Sequence, residues 1–158
     1  MRKHLLFFSR LAVAFGAAVI VMAQAQHITP FTGAWKLNLA KSTFNPGPPF
    51  HSFTLTFTTE GTRKLDLIRA DGQPFKAALP WSDGKEVPVT VTEGSMENAS
   101  AVSKIRGKVV DDTWRVNGKI IEKVHGVVSA DGRTLTITVG GKDKQGATYQ
   151  NYLTFEKQ

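Results

Sequence analysis

Apolar and polar residues alternate in short runs along most of this chain, a pattern typical of strands with one buried and one solvated face. In the clearest run, Phe53, Leu55 and Phe57 alternate with threonines, and residues 134–140 repeat this design. Asp-Gly and Asn-Gly pairs, which favour the tight turns of β-hairpins, separate several runs, at residues 71–72, 83–84, 117–118 and 131–132. The chain is therefore predicted to be all-β, an antiparallel meander with almost no helix.

The alternation predicts nine or ten strands, at residues 33–39, 52–59, 62–69, 74–81, 87–92, 101–106, 109–116, 119–129, 134–140 and 147–155. A stiff segment rich in proline and glycine at 45–49 separates the first two strands, and the polar segment 93–100 is predicted to be a surface loop. Closure of the meander removes the exposed edges that an open sheet leaves to aggregation. An up-and-down β-barrel of about 8–10 strands is therefore favoured over a sandwich.

The N-terminal segment has the pattern of an export signal. The first ten residues carry three cations and no acid, the next twelve are apolar, and Ala23 and Ala25 occupy the positions that signal peptidase reads. A membrane-spanning helix needs roughly 20 apolar residues, so cleavage after Ala25 is favoured over retention as an anchor. Residues 1–25 are predicted to be a signal peptide. The mature chain is predicted to have no transmembrane segment and to reach the periplasm or the medium.

Size, charge and cysteine content limit the class of the mature protein. Cleavage after residue 25 of 158 leaves residues 26–158, which are 133 residues and enough for a single domain. The three cations of the predicted signal peptide contribute to the net charge of +7, so the mature chain keeps about +4. Without a dense basic stripe or a recognition motif, no nucleic-acid partner is predicted. Cysteine is absent, which excludes disulfides and favours a bacterial envelope.

Three stretches carry a resemblance to a known family. Gly33-Ala34-Trp35 is similar to the G-x-W signature of lipocalins, although the lipocalin cysteine pair is missing. The sequence GAWKLNLAKS at 33–42, the sequence FNPGP at 44–48 and the sequence DGKEVPV at 83–89 together resemble a family of small exported bacterial proteins described as lipocalin-like. The resemblance implies a lipocalin-like barrel in which Trp35 closes the bottom. It implies no activity, and a small apolar ligand follows only by analogy of fold.

Aromatic and cationic side chains supply the candidate binding residues. Barrels of about eight strands either fill with side chains or hold one small ligand, so the same aromatics also suit a packed core. Arg106 and Arg115 are suited to grip a carboxylate through paired hydrogen bonds, with Tyr149 or Tyr152 as a further donor, although the phase of Arg115 favours a water-facing position. The predicted ligand-binding residues are Trp35, Phe57, Phe75, Trp81, Arg106, Trp114, Arg115 and Tyr149.

Catalytic and metal-binding patterns are missing from the sequence. The mature histidines, His27, His51 and His125, have no metal-ligand spacing, and there is no serine nucleophile elbow. Asp111 and Asp112 are neighbours on a predicted strand, so they point to opposite faces and cannot share a proton or a metal ion. No catalytic residue, metal or cofactor is therefore predicted.

The predicted function is non-enzymatic binding of a small apolar or amphipathic molecule in the cell envelope. One alternative is an envelope interaction module with a filled barrel, which holds a protein partner through a strand edge or the segment 45–49. A less favoured alternative is a small barrel enzyme built around His125.

Overall fold

The computed structural model describes residues 30–45, 50–142 and 145–158 and has an all-β architecture. Its eleven strands are β1 (Gly33–Leu37), β2 (Ser52–Phe57), β3 (Thr62–Ile68), β4 (Pro74–Pro80), β5 (Glu86–Pro88), β6 (Thr90–Glu93), β7 (Ala99–Arg106), β8 (Val109–Val116), β9 (Lys119–Val128), β10 (Thr134–Lys142) and β11 (Thr148–Lys157). Every strand pair is antiparallel. Among the described residues, the helical structure is a single 3-10 turn, Leu39–Lys41. The predicted meander is confirmed.

One bent segment brings the two edges of the sheet together. The strand order is β5-β7-β8-β9-β10-β11-β1-β2-β3-β4-β6, so the edge strands β5 and β6 are consecutive in the chain. β5 pairs with β7, whereas β6 pairs with β4. The single strand predicted at 87–92 is therefore divided at Val89, whose N–H still donates to the carbonyl of Ala99. The result is the predicted up-and-down barrel, nearly closed.

The turns follow the sequence signals closely, and the strand ends follow them less well. Between β8 and β9, Asn117 and Gly118 both have positive φ, 51° and 75°, as a type I′ hairpin turn requires. The predicted loop at 93–100 is shorter than expected, because β6 continues to Glu93 and β7 begins at Ala99. The last hairpin was predicted to turn from residue 140, but β10 continues to Lys142 because its pairing with β11 extends that far, to Lys142 opposite Thr148.

Trp35 seals one end of the barrel. Its side chain is fully buried, and the indole N–H donates to the carbonyl of Phe31 at 2.6 Å. The ring of Phe31 packs 5.5 Å from that of Phe57, and the Lys157 ammonium lies 5.0 Å from the Trp35 ring. The β2–β3 turn at 58–61 lies at this end, whereas the β3–β4 turn at 69–73 lies at the opposite end.

Several predictions concern residues outside the described ranges. These are the signal peptide at 1–25, its cleavage site, His27 and most of the proline-rich segment 45–49. They stay predictions. No helix in the described part of the chain is long and apolar enough to cross a membrane.

Candidate functional site

A buried ion pair crosses the barrel interior between β3 and β8. Arg63 follows the inward phase of Leu65 and Leu67, and Asp112 lies between the inward-facing Val110 and Trp114. Arg63 Nη1 donates to Asp112 Oδ2 at 2.5 Å, and the two side chains are only 6% and 2% exposed. A charged side chain is buried at this depth only when paired, because desolvation is otherwise too costly. The pair therefore fixes β3 against β8.

The pairing inside the barrel is incomplete. Arg63 Nε and Asp112 Oδ1 are buried and have no hydrogen-bond partner. Both residues line an inner cavity of about 60 Å³. A cavity needs about 10–15 Å³ to hold a water molecule, whereas sites for drug-sized ligands measure roughly 300–1,000 Å³. The inner cavity has room for a few water molecules and is too small for an alkyl chain.

Glu122 and Tyr149 form a second polar contact above this cavity. Gly141 on β10 pairs with Glu122 on β9 and with Tyr149 on β11. The missing side chain at Gly141 leaves room for Tyr149, whose hydroxyl donates to Glu122 Oε2 at 2.7 Å. A Cβ atom at Gly141 would lie 2.8 Å from this hydroxyl and 2.3 Å from the carbonyl oxygen of Ile121. Gly141 therefore permits the Tyr149–Glu122 hydrogen bond.

Replacement of Gly141 by alanine is expected to destabilise the protein by about 1–3 kcal/mol, the usual cost of overpacking. The neighbouring Gly140 is a matched control, because a Cβ there would meet its nearest atom at 3.7 Å. Gly140→Ala should stay within about 1 kcal/mol of the wild type. Urea unfolding of both variants measures the difference. Equal stability of the two variants would contradict the close packing at Gly141.

The environment of Glu122 disfavours its charged form. Burial is the largest effect and raises the pKa of Glu122 above 4.5, and the negative charge of Asp112 raises it further. The hydrogen bond from Tyr149 and the positive charge of Arg63 lower the pKa but do not cancel this increase. Burial, together with the charge of Glu122 and its hydrogen bond, raises the pKa of Tyr149 as well. The Tyr149 hydroxyl therefore remains a donor near neutral pH.

The raised pKa of Glu122 predicts how stability depends on pH. The native state holds a proton on Glu122 at pH values where the unfolded chain has lost it, so this group contributes stability below about pH 4.5 that is lost as pH rises through the native pKa. Glu122→Gln removes this loss. The unfolding free energy of the variant minus that of the wild type should therefore increase as the pH rises above 4.5. A difference that stays constant in urea unfolding at pH values above 4.5 would contradict the expectation.

The open end of the barrel holds a larger cleft, which we call the mouth. It measures about 630 Å³, within the usual range for small-molecule sites. Its apolar wall consists of Phe50, Phe53, Val139 and Leu153. Its polar lining consists of Arg69, Asp71, Glu122, Tyr149 and Asn151, and Ala70 lies on the rim. Phe53, Val139, Leu153 and Glu122 also line the inner cavity, so the mouth lies directly above it.

A second groove, of about 770 Å³, follows β8 to β11 and also reaches Glu122 and Tyr149. Exposed polar side chains, including Lys123, His125 and Gln150, form much of its lining. The rings of Phe50 and Phe53 line the mouth, whereas no phenylalanine lines the described part of the groove. The mouth is therefore the better candidate site for an apolar group.

The structure brings together three of the eight predicted ligand-binding residues. Phe57 and Trp114 line the inner cavity, and Tyr149 lines the mouth. Trp35 and Phe75 are buried in the two core clusters, and Trp81 packs against the first of these. These three aromatic residues line neither the inner cavity nor the mouth.

The two predicted arginines lie away from both spaces. Arg106 is 74% exposed and 3.8 Å from Asp111. Arg115 lies 4.0 Å from Glu86. Arg63 is instead the buried cation of the described residues, and it is not among the predicted binding residues.

Asp111 and Asp112 point to opposite faces, as predicted: Asp112 is buried, and Asp111 lies on the outer face with His125 Nδ1 2.7 Å from its Oδ1. His125 is exposed and has this carboxylate partner on the outside of the barrel. In the described ranges no group of three potential metal ligands comes together.

Comparison with protein-family models, with curated proteins and with solved structures found no match. The resemblance to lipocalin-like proteins therefore depends on the sequence motifs alone.

Proposed function

We propose that this protein is an exported, non-enzymatic barrel that binds one small amphipathic molecule in the cell envelope. The observation that supports the proposal is the mouth, a cleft of about 630 Å³ lined both by the apolar side chains of Phe53 and Leu153 and by the polar groups of Glu122 and Tyr149. Sites for small molecules are usually concave and mostly apolar, with a few polar groups that orient the ligand. An amphipathic molecule matches this combination of apolar and polar lining.

The size of the inner cavity supports a ligand held in the mouth and not deep in the barrel. At about 60 Å³ the inner cavity cannot take an alkyl chain. The apolar part of the ligand would lie against Phe50 and Phe53, where a half-buried aromatic pair with ring centroids 5.5 Å apart is available. Burial of apolar surface there would supply most of the affinity, at roughly 25 cal/mol per Å² before the costs of association.

The envelope location depends on the N-terminal sequence. The charged start, the short apolar run and Ala23-Gln24-Ala25 are the features that support export. Export is tested by intact mass: the protein secreted from an exporting host should begin at Gln26. A chain that retains residues 1–25 would contradict cleavage.

Blocking the mouth is the direct test of ligand binding. N-phenyl-1-naphthylamine, a neutral apolar probe that fluoresces on leaving water, is expected to bind the mature protein at one saturable site. Ala70 lies on the rim of the mouth, so Ala70→Trp should fill the cleft and weaken binding at least about tenfold, a change worth about 1.4 kcal/mol. Ala130→Trp is the matched control, because Ala130 is exposed in the β9–β10 turn at the end that Trp35 seals.

Binding in the mouth predicts that Ala70→Trp alone weakens the fluorescence response. If neither the wild type nor the Ala130→Trp variant binds the probe or any of a series of alkyl amphiphiles, the proposed function is wrong. Equal weakening by both tryptophan substitutions would place the site elsewhere on the barrel.

A further inference from the structure

Acidic groups outnumber cations around the proposed ligand site. The acidic residues that line the mouth and the inner cavity are Asp71, Asp112 and Glu122. The cationic residues that line them are Arg63 and Arg69. Arg63 is bound to Asp112. The guanidinium of Arg69 lies over the Phe75 ring, 4.7 Å from its centroid. Arg63 is therefore neutralised by Asp112, and Asp71 balances the single charge of Arg69, so Glu122 is the acid without a matching cation.

Glu122 is placed where the head group of a ligand would be held. It is the charged residue shared by the linings of the mouth and the inner cavity. The hydrogen bond from Tyr149 engages Oε2, and a carboxylate has two oxygens that together accept about four hydrogen bonds. The apolar side chains of Phe53, Val139 and Leu153 line the same two spaces, and electrostatic interactions are stronger in such a setting than in water.

Below Glu122 lies a buried oxygen that lacks a donor. Asp112 Oδ1 is almost fully buried and unpartnered, although Arg63 neutralises the charge of Asp112 through Oδ2. A carboxylate ligand has no proton to donate to this oxygen, and its charge would disfavour ionisation of Glu122 further. A protonated amine would favour the ionised form of Glu122 against the effect of burial, and hydrogen bonds between ionised partners are about twice as strong as those between neutral groups.

We propose that the ligand of the mouth is an amphiphile with a protonated amine, and that Glu122 receives the amine. This inference depends on the proposed function and narrows it to one chemical class. It also reverses the expectation from the sequence that an arginine holds a carboxylate.

Three amphiphiles with the same alkyl chain test the inference: dodecylamine, dodecanol and dodecanoate, each titrated into the mature protein below its micelle concentration at neutral pH. By isothermal titration calorimetry, dodecylamine should bind at least about tenfold more tightly than dodecanoate, with dodecanol between them. This comparison uses the wild type alone, so it does not depend on the folding of a variant.

Two variants test whether Glu122 receives the amine. Glu122→Gln keeps an oxygen that accepts the Tyr149 hydrogen bond and should reduce dodecylamine affinity to that of dodecanol, with dodecanol affinity unchanged. Asp83→Asn is the matched control, because Asp83 is an exposed acid that lines neither the mouth nor the inner cavity, and it should keep the preference for the amine.

The outcomes distinguish the two proposals. If dodecanoate binds as tightly as dodecylamine, or if Glu122→Gln keeps the preference for the amine, the assignment of the amine to Glu122 is wrong while binding of an amphiphile stands. If none of the three molecules binds, the proposed function fails and this inference fails with it.

Discussion

Replacement of Arg63 by methionine is expected to destabilise the protein by about 3–5 kcal/mol, because removal of one partner leaves the other as an unpaired buried charge. Asp112 would lose its hydrogen bond from Arg63 Nη1 and remain almost fully buried, with its Oδ1 already unpartnered. Contacts between the guanidinium and the rings of Trp114 and Phe57, at 5.6 and 6.0 Å, would be lost as well. Chemical unfolding in urea measures the change.

The double variant Arg63→Met/Asp112→Leu is the control for this prediction. Substitution of a buried ion pair by apolar residues of similar volume is often neutral or stabilising, so the double variant should recover most of the stability lost by Arg63→Met. The strong coupling in this double-mutant cycle would show that the cost arises from the unpaired charge. A loss below about 1 kcal/mol for Arg63→Met would mean that Arg63 is not buried as described.

Replacement of Trp35 by alanine is expected to cost a similar amount, about 3–5 kcal/mol, the usual range for removal of a buried tryptophan. Trp35 is fully buried at the sealed end, and its loss would leave a cavity beside Phe31 and remove the hydrogen bond to the Phe31 carbonyl. The Lys157 ammonium would also lose the ring that it now faces at 5.0 Å.

Trp35→Phe separates the two contributions at this position. Phenylalanine keeps much of the apolar volume but donates no hydrogen bond, so we expect it to cost less than alanine in the same urea unfolding experiment. The two substitutions should differ by at least about 1 kcal/mol, which is the order of one or more buried methylene groups. If Trp35→Ala changes the unfolding free energy by less than about 1.5 kcal/mol, Trp35 does not seal the barrel.

The hairpins were predictable from sequence because their signals are local. An Asn-Gly pair sets the backbone of its own turn, so β8, β9 and the turn between them follow directly from the residues. The inward-facing residues of these two strands were not predictable, because both faces carry polar and apolar side chains. The division of 86–93 into two strands was missed. Its two halves pair with β7 and β4, and alternation in one segment carries no information about which neighbours it meets.

The polar interior was missed although part of its signal is local. Arg63 is in phase with Leu65 and Leu67, and Asp112 is in phase with Val110 and Trp114, so each is a charged residue on an apolar face. Such a residue is buried only with a partner. The partner itself was not predictable, because the two residues lie 49 positions apart and meet only across the interior of the nearly closed barrel.

Gly141 shows the same limit at the mouth. Its sequence position suggested a turn, whereas its role is to leave space for the hydroxyl of Tyr149 beside Glu122. That role depends on the pairing of β10 with both β9 and β11. Glu122 was therefore not among the predicted binding residues.

Native mass spectrometry of the mature protein purified from an exporting host would show whether the mouth binds a small amphipathic molecule. We expect one discrete added mass that organic extraction releases, absent from Ala70→Trp and retained by Ala130→Trp. A spectrum of the bare chain, with no uptake when dodecylamine, dodecanol and dodecanoate are offered in turn, would mean that the mouth is not a ligand site.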